Sequence, residues 1–268
     1  MSEIHPTAIV QPGAEIGSEC TIGPYSVIGS NVKLGSRNHI GSHVVIEGHT
    51  TIGDDNRIFQ FASVGADPQD LKFHGEASTL DIGDSNIIRE YVTLQPGTQS
   101  GGMRTEIGSR NLFMACCHVG HDSFVGSGNI LANGAAIAGH VAIEDHVTVG
   151  GLVGVHQFVR LGNHSFLGAG AMVSQDIPPF CTAQGDRAEL VGINTIGLQR
   201  HGFDGDEVKQ LRKLFRDVFL GSGLLKDRLT KCRANYQHLE SCSEFLDFIT
   251  NSERGVAAVR KRGLIDDD

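Results

Sequence analysis

An apolar residue recurs at every sixth position over most of the first 173 residues, and this spacing limits the possible folds more than any other feature. The first run goes from Ile4 through Val10, Ile16, Ile22 and onward to Val64. A shorter run is Ile82, Ile88 and Leu94. The third goes from Ile107 to Val173, twelve hexads without an exception. An amphipathic helix needs its apolar stripe near every 3.6 residues, so a period of six excludes helices here. A sandwich of short strands would space its strands irregularly. The period fits a parallel β-helix: each hexad is a strand and a turn, and three hexads make an 18-residue triangular coil. Stacked coils bury one continuous aliphatic column. Gly often follows the apolar residue, as in Ile16-Gly17 and Ile22-Gly23, and is expected to permit the corners.

Two insertions interrupt the phase, at residues 66–79 and 97–105. Insertions into a solenoid become surface loops, often beside the binding face. The repeat is expected to stop at Pro178-Pro179, because Pro removes ladder donors. From Asp204 the period turns helical through Val208, Leu211, Leu214, Phe215, Val218 and Phe219, with Asp204 or Asp206 as cap. Gly221-Ser222-Gly223 ends that helix. Leu225, Leu229, Cys232, Tyr236 and Leu239 predict a second helix, and Phe245, Phe248 and Ile249 a third that starts after Ser241 or Ser243. The tail 261–268 is expected to fray. The expected fold is all-β with a helical C-terminal extension: a β-helix over 1–190 and an α-helical domain over 191–268.

The 268 residues carry a net charge of −9, with no basic, aromatic-interleaved patch, which argues against nucleic acid as a partner. Residues 204–268 are charge-balanced, so the repeat region holds the whole excess of acid. The start, Met1 to Pro6, has no basic stretch followed by an apolar run, so no signal peptide is expected. No stretch approaches the roughly 18 apolar residues that span a bilayer. Six Cys without a CxxC pair fit a reducing cytoplasm.

Thirteen His is a high count. Residues 18 apart stack on adjacent coils, so His121, His140 and His156 fall within one residue of a common register along one edge. Coils lie roughly 4.8 Å apart, and the three imidazoles would line a groove about 10 Å long. His118 precedes His121 on the same turn. A blander account is available: His146 and His164 also stand 18 apart, and turns favour His and Asn. Neighbouring residues favour a working groove. Asp122 follows His121 and could orient its imidazole, and Gln157 follows His156 with both donor and acceptor. Three chemistries suit such a groove. Zinc needs about three ligands converging within roughly 2.1 Å. General-base catalysis needs one oriented His with a pKa near neutral. Cys117 beside His118 would offer a nucleophile, although a free Cys is more often a small buried hydrophobe.

Several motifs, in order, resemble the UDP-N-acetylglucosamine acyltransferase family of lipid A biosynthesis over essentially the whole chain. They are the segments His43 to Thr50, Gln60 to Gly65, Gln69-Asp70-Leu71-Lys72, His118-Val119-Gly120-His121-Asp122, Ala138-Gly139-His140-Val141 and Val155-His156-Gln157-Phe158. Gly192-Ile193-Asn194 and Gly197-Leu198-Gln199-Arg200 complete the set. The resemblance implies a left-handed β-helix with a C-terminal helical domain, assembled as a homotrimer with sites between subunits. It implies acyl transfer from acyl carrier protein to the 3-hydroxyl of UDP-N-acetylglucosamine, without metal or cofactor. The general base falls on His121, its partner on Asp122, and the oxyanion donor on the Gly139 amide. Asp70, Lys72, His118, His140, His156, Gln157, Asn194 and Arg200 fall on substrate-binding positions, and Ala169 on the position that limits acyl length. His201 and Arg187 depart from the family's residues at the nucleotide end. Arg212, Lys213 and Arg216 share a turn-spaced face of the first C-terminal helix that would suit an acidic carrier protein, with an ordinary solvated helix face as the plain alternative.

Rival readings are a related N-acyltransferase of the same pathway, amide formation on a 3-amino sugar, a zinc carbonic anhydrase of the hexapeptide class, and a non-enzymatic scaffold. The N-acyltransferase normally has a uridine-binding domain ahead of its repeats, and here the hexads start at Ile4.

Overall fold

The computed structural model describes residues 1–236 and 238–260; the tail at 261–268, expected to fray, lies outside the described residues. Among the described residues the strands form three sheets of 11, 9 and 8 strands, the faces of a triangular prism. The first face begins with Glu3–Ile4, the second with Ile9–Val10 and the third with Glu15–Ile16. The chain winds as a left-handed parallel β-helix. Most strands hold two residues, the second pointing inward. Val119, Ile137, Val155 and Val173 sit one above another on the second face, and all are buried.

The core is the stacked column the hexads predict. From Ile22 to Val173 the hexad residues are almost fully buried. Burying each such side chain contributes about 1.5–3 kcal/mol. The first coil is the exception: Ile4 is 46% exposed because no coil lies beneath it. The insertions lengthen two coils from 18 residues to 30 and 25. Both loops leave the corner between the second and third faces.

The glycines do a different job from the one expected. The tight corners are made by left-handed residues that are mostly not glycine, including Asp122 (φ 58°), His140 (φ 61°) and Phe158 (φ 66°). Gly17, which follows Ile16, lies elsewhere in φ, but a Cβ on it would collide with the Gly35 carbonyl of the next coil. Glycine there lets coils approach at strand spacing.

The sheet also runs past Pro178-Pro179. Cys181–Gln184 pairs with Phe166-Leu167 on the first face and then antiparallel with Glu189–Ile193. Each Pro sits in the connection, where no ladder donor is needed. Four α-helices follow among the described residues: α1 Thr195–Arg200, α2 Gly205–Phe219, α3 Leu225–Tyr236 and α4 Glu240–Thr250. Asp204 caps α2, accepting from the Asp206 and Glu207 amides at 2.8 Å. The short α1 was not expected; Asn194 caps it through the Gly197 amide. α4 starts at Glu240, ahead of both serines expected to precede it; Ser241 lies inside the helix and its hydroxyl donates to Glu207 of α2 at 2.6 Å. Among the described residues no helix is long and apolar enough to cross a membrane.

After α4 the chain returns to the prism. Residues 251–260 bridge Asp176 with Val256 and Leu190 with Val259.

Candidate active site

The corner between His118–Val119 of the second face and Phe124–Val125 of the third carries Gly120, His121 and Asp122. One coil up, the equivalent turn carries Gly139 and His140; the next carries Gln157 and Phe158. His121 is 7% exposed and lies over Gly139. A Cβ at Gly139 would come within 2.6 Å of His121 Cε1 and 2.7 Å of Nε2, so only glycine leaves room for the ring. His140 meets His121 edge-on at 5.0 Å between ring centroids and stacks on Phe158 at 4.5 Å.

Asp122 organises the corner. Its side chain has no solvent exposure, and Oδ2 lies 2.8 Å from His121 Nδ1. Thr98 donates to the same carboxylate from its amide at 2.8 Å and its hydroxyl at 2.6 Å. Thr98 belongs to the 97–105 insertion, which folds over the carboxylate. Gly101 packs so closely on Asp122 that a Cβ would overlap the carboxylate. An ionised carboxylate only accepts, so the His121 proton sits on Nδ1 and the Nε2 lone pair is left open. No hydrogen bond among the described residues takes up the Gly139 amide.

The flanking histidines are set to stay neutral. Burial, and then His121, pushes the His118 pKa below its ordinary value, and Nδ1 lies 2.7 Å from Thr93 Oγ1. Burial likewise lowers His140, against a smaller upward pull from Asp122.

Ligand atoms of His121, Asp122 and His140 lie within 4.8 Å of one another. Zinc bonds of about 2.0–2.2 Å would hold tetrahedral ligands roughly 3.3 Å apart. The His121–Asp122 contact is 2.8 Å, a hydrogen bond, and the same Oδ2 already accepts from Thr98. This donor set fits a hydrogen-bond relay better than a metal. Cys117 is fully buried in the core, and burial pushes its thiol pKa up to about 11, which leaves no thiolate nucleophile at the groove.

Two clefts meet at His121. One of about 940 Å³ is lined by His118, His121, Gly139, His156, Gln157 and Met172 among others. The other, about 300 Å³, is lined by Asp70, Lys72, His121, His140, Gln157 and Phe158 among others. The 66–79 loop supplies Asp70 and Lys72 and is tied down by Gln95, which accepts from the Gln69 amide at 3.2 Å. His156 and His140 therefore face different clefts, because they sit two positions apart in the turn register.

Nine of the twelve residues singled out by sequence thus converge on one edge. Asn194, Arg200 and Ala169 do not. Asn194 caps α1 and donates to the His164 carbonyl at 2.9 Å, on the edge between the third and first faces. Arg200 is exposed in the last turn of α1. Ala169 is exposed on the remaining edge, between Phe166-Leu167 and Met172-Val173. Sequence reasoning missed Thr98 and Gly101; their one signal was an insertion beside the groove.

Comparison with known proteins agrees with this architecture. The family profile "Udp N-acetylglucosamine O-acyltransferase; Domain 2" matches residues 176–257, and "Bacterial transferase hexapeptide (six repeats)" matches residues 13–48. An acyl-[acyl-carrier-protein]–UDP-N-acetylglucosamine O-acyltransferase from Myxococcus xanthus is 53% identical over 96% of this chain and 99% of its own length. Its counterpart from Paracidovorax citrulli is 52% identical over 96% of this chain and 100% of its own length. Among solved structures, the Francisella novicida UDP-N-acetylglucosamine acyltransferase superposes with a TM-score of 0.93 at 37% identity, covering 96% of this chain and 95% of that one. The Campylobacter jejuni enzyme gives a TM-score of 0.91 at 38% identity, covering 96% and 100%. With relatives this similar along nearly its entire length, the chain belongs to the acyl-[acyl-carrier-protein]–UDP-N-acetylglucosamine O-acyltransferase family.

Proposed function

We infer that this chain transfers an acyl group from acyl carrier protein to UDP-N-acetylglucosamine, the first step of lipid A biosynthesis, with the 3-hydroxyl as acceptor. The observation that carries the reading is His121. Its Nδ1 faces Asp122, and its ring lies on Gly139 where two clefts meet.

His121 Nε2 takes the proton of the sugar hydroxyl as that oxygen attacks the thioester carbonyl. The negative charge that develops on the carbonyl oxygen is stabilised by the Gly139 amide. Collapse breaks the C–S bond, and the imidazolium returns its proton to the carrier thiolate. The thioester arrives activated, so neither metal nor cofactor takes part. Asp70, Lys72, His118, His140, His156 and Gln157 bind and orient the substrates, and Lys72 offers charge to the pyrophosphate.

Asn194, Arg200 and Ala169 join the site from other copies in a homotrimer. Support for this is their position on the two prism edges away from His121. Arg200 then meets the nucleotide phosphates, and Ala169 bounds the end of the acyl chain. Exposed Arg212, Lys213 and Arg216 on α2 suit an acidic carrier protein. The protein acts in the cytoplasm, in line with six free cysteines. Its two functional units are the β-helix, 1–190, and the helical domain, 191–268.

Radiolabelled UDP-N-acetylglucosamine with a panel of acyl carrier protein thioesters tests this. An alkali-labile acylated sugar nucleotide is expected. Product only with a 3-amino sugar nucleotide would replace ester formation with amide formation. Zinc-dependent hydration of carbon dioxide without acyl transfer would overturn the reading.

A further inference from the structure

The segment after α4 reaches the larger cleft through one side chain. Arg254 Nη2 lies 2.9 Å from His156 Nδ1, and Arg254 Nε donates to the Ser174 carbonyl at 2.6 Å. The chain on both sides of Arg254 is pinned to Asp176, which is 1% exposed, by a side chain before it and by backbone after it. Ser252 Oγ donates to the Asp176 carboxylate at 2.7 Å. The Asp176 amide donates to the Gly255 carbonyl at 2.9 Å, and the Ala257 amide to the Asp176 carbonyl at 2.9 Å. Asp176 Oδ1 also accepts from the Arg160 amide at 2.8 Å. Arg254 is therefore delivered to His156 by a strap fixed at three points.

A guanidinium has five donors and no acceptor. It can lie 2.9 Å from His156 Nδ1 only if that nitrogen carries a lone pair. His156 Nδ1 also lies 3.2 Å from the Gln157 carbonyl, a contact that would need a proton on Nδ1. The two are exclusive, and the shorter, charge-assisted one decides. The ring proton then sits on Nε2. His121 is the mirror case: a carboxylate holds its proton on Nδ1 and leaves Nε2 as acceptor. Two histidines lining one cleft are thus given opposite roles by partners of opposite charge.

We propose that Arg254 is a positioning residue that fixes His156 in its neutral Nε2–H form, as a hydrogen-bond donor to substrate oxygen in the cleft where His121 accepts a proton. This rests on the acyltransferase reading for its kinetic consequence, but not for its tautomer.

The test uses full-length protein with 15N,13C-labelled histidine, His156→Ala identifying the His156 signals. In wild type His156 reads as the Nε2–H tautomer; in Arg254→Met it becomes a tautomer mixture. Acyl transfer in Arg254→Met falls roughly tenfold in kcat/KM, the scale of one lost charged hydrogen bond. In a His156→Ala background the same substitution costs less than twofold. An unchanged tautomer in Arg254→Met overturns the proposal. So do independent, multiplying losses in the double variant, which would mean that Arg254 contacts substrate itself or merely holds the strap. Arg254→Gln, which donates or accepts, gives the same tautomer readout if the Met variant does not fold. Because the tautomer is read without substrate, it stands even if no acyl transfer is found.

Discussion

Two edges of the prism carry clustered imidazoles, and among the described residues only one sets a carboxylate against a ring nitrogen at hydrogen-bond distance. Between the second and third faces, His121 and His140 meet edge-on at 5.0 Å. Between the third and first faces, His146 and His164 stack at 4.8 Å, and His201 of the α1 C-cap lies 4.9 Å from each. His140, His146 and His164 share the same left-handed corner conformation, with φ of 61°, 57° and 56°. Repeat geometry alone therefore brings histidines together at either edge. The edges differ in what faces the nitrogens. His121 Nδ1 has the Asp122 carboxylate, fixed by Thr98 of an inserted loop. His164 Nδ1 is buried without a hydrogen-bond partner among the described residues. The nearby Asp145 spends Oδ1 on the Ser127 amide at 2.6 Å. Burial first, and then His146 and His201, push the His164 pKa down to about 4. The repeat thus builds a cluster of imidazoles at two edges, and an oriented carboxylate distinguishes one from the other.

The largest effect should divide the two edges. His121→Ala is expected to lower kcat by roughly 10²–10⁴-fold, the range for lost acid–base catalysis. His164→Ala should leave kcat within a few-fold. Steady-state kinetics on both, with sedimentation to show unchanged assembly, checks this. Equal losses would erase the distinction and make the second edge part of the chemistry.

A smaller effect should come from the carboxylate. Asp122→Asn keeps the shape but cannot accept from His121 and from both Thr98 donors while burying an amide. The imidazole stays and loses its orientation. A fall of roughly 10–100-fold in kcat is expected, with KM for the sugar nucleotide little changed. If Asp122→Asn matched wild type, the insertion would merely cover the corner.

The repeat made most of this legible. A period of six names the prism, places its core and puts residues 18 apart on one edge, because every coil repeats the same backbone. His118, His121, Asp122, His140, His156 and Gln157 could be grouped for that reason, whereas Gly139, Asp70 and Lys72 were named from resemblance, the last two on an insertion. What escaped has no period. Thr98 reaches Asp122, and Arg254 reaches His156, from a loop and a strap whose paths depend on tertiary hydrogen bonds. Asn194, Arg200 and Ala169 were named from resemblance, and only the structure shows them on other edges. The glycine that follows many of the core residues was noticed but its cause mistaken: at Gly17, for one, coil spacing and not φ demands it. Ser241 looks like a helix cap by type, yet it is drawn to Glu207 across the helix interface.

The smallest effect concerns stability at the second edge. Folding holds His164 neutral down to about pH 4, whereas the unfolded chain takes a proton near 6.5. Between those values the unfolded state binds more protons, so stability falls as pH drops through this window and levels off below it. The contribution is complete above pH 6.5 and mostly lost by pH 4. Partial solvent access at this half-buried ring leaves about 1–2 kcal/mol of it. His164→Phe keeps a flat ring for His146 and Phe180 to pack on, has no proton to refuse and removes the unpaired nitrogen. His118, His140 and His146 are also lowered by burial and keep their own share of the slope. Denaturant melts from pH 7.5 to 4.5 should therefore show the variant losing about 1–2 kcal/mol less than wild type. At pH 7.5 the variant should equal wild type or exceed it by about 1 kcal/mol, since an unsatisfied buried nitrogen is gone. Parallel curves would mean that His164 protonates freely in the folded protein, and the contrast between a partnered and an orphaned imidazole would then fail at its second edge.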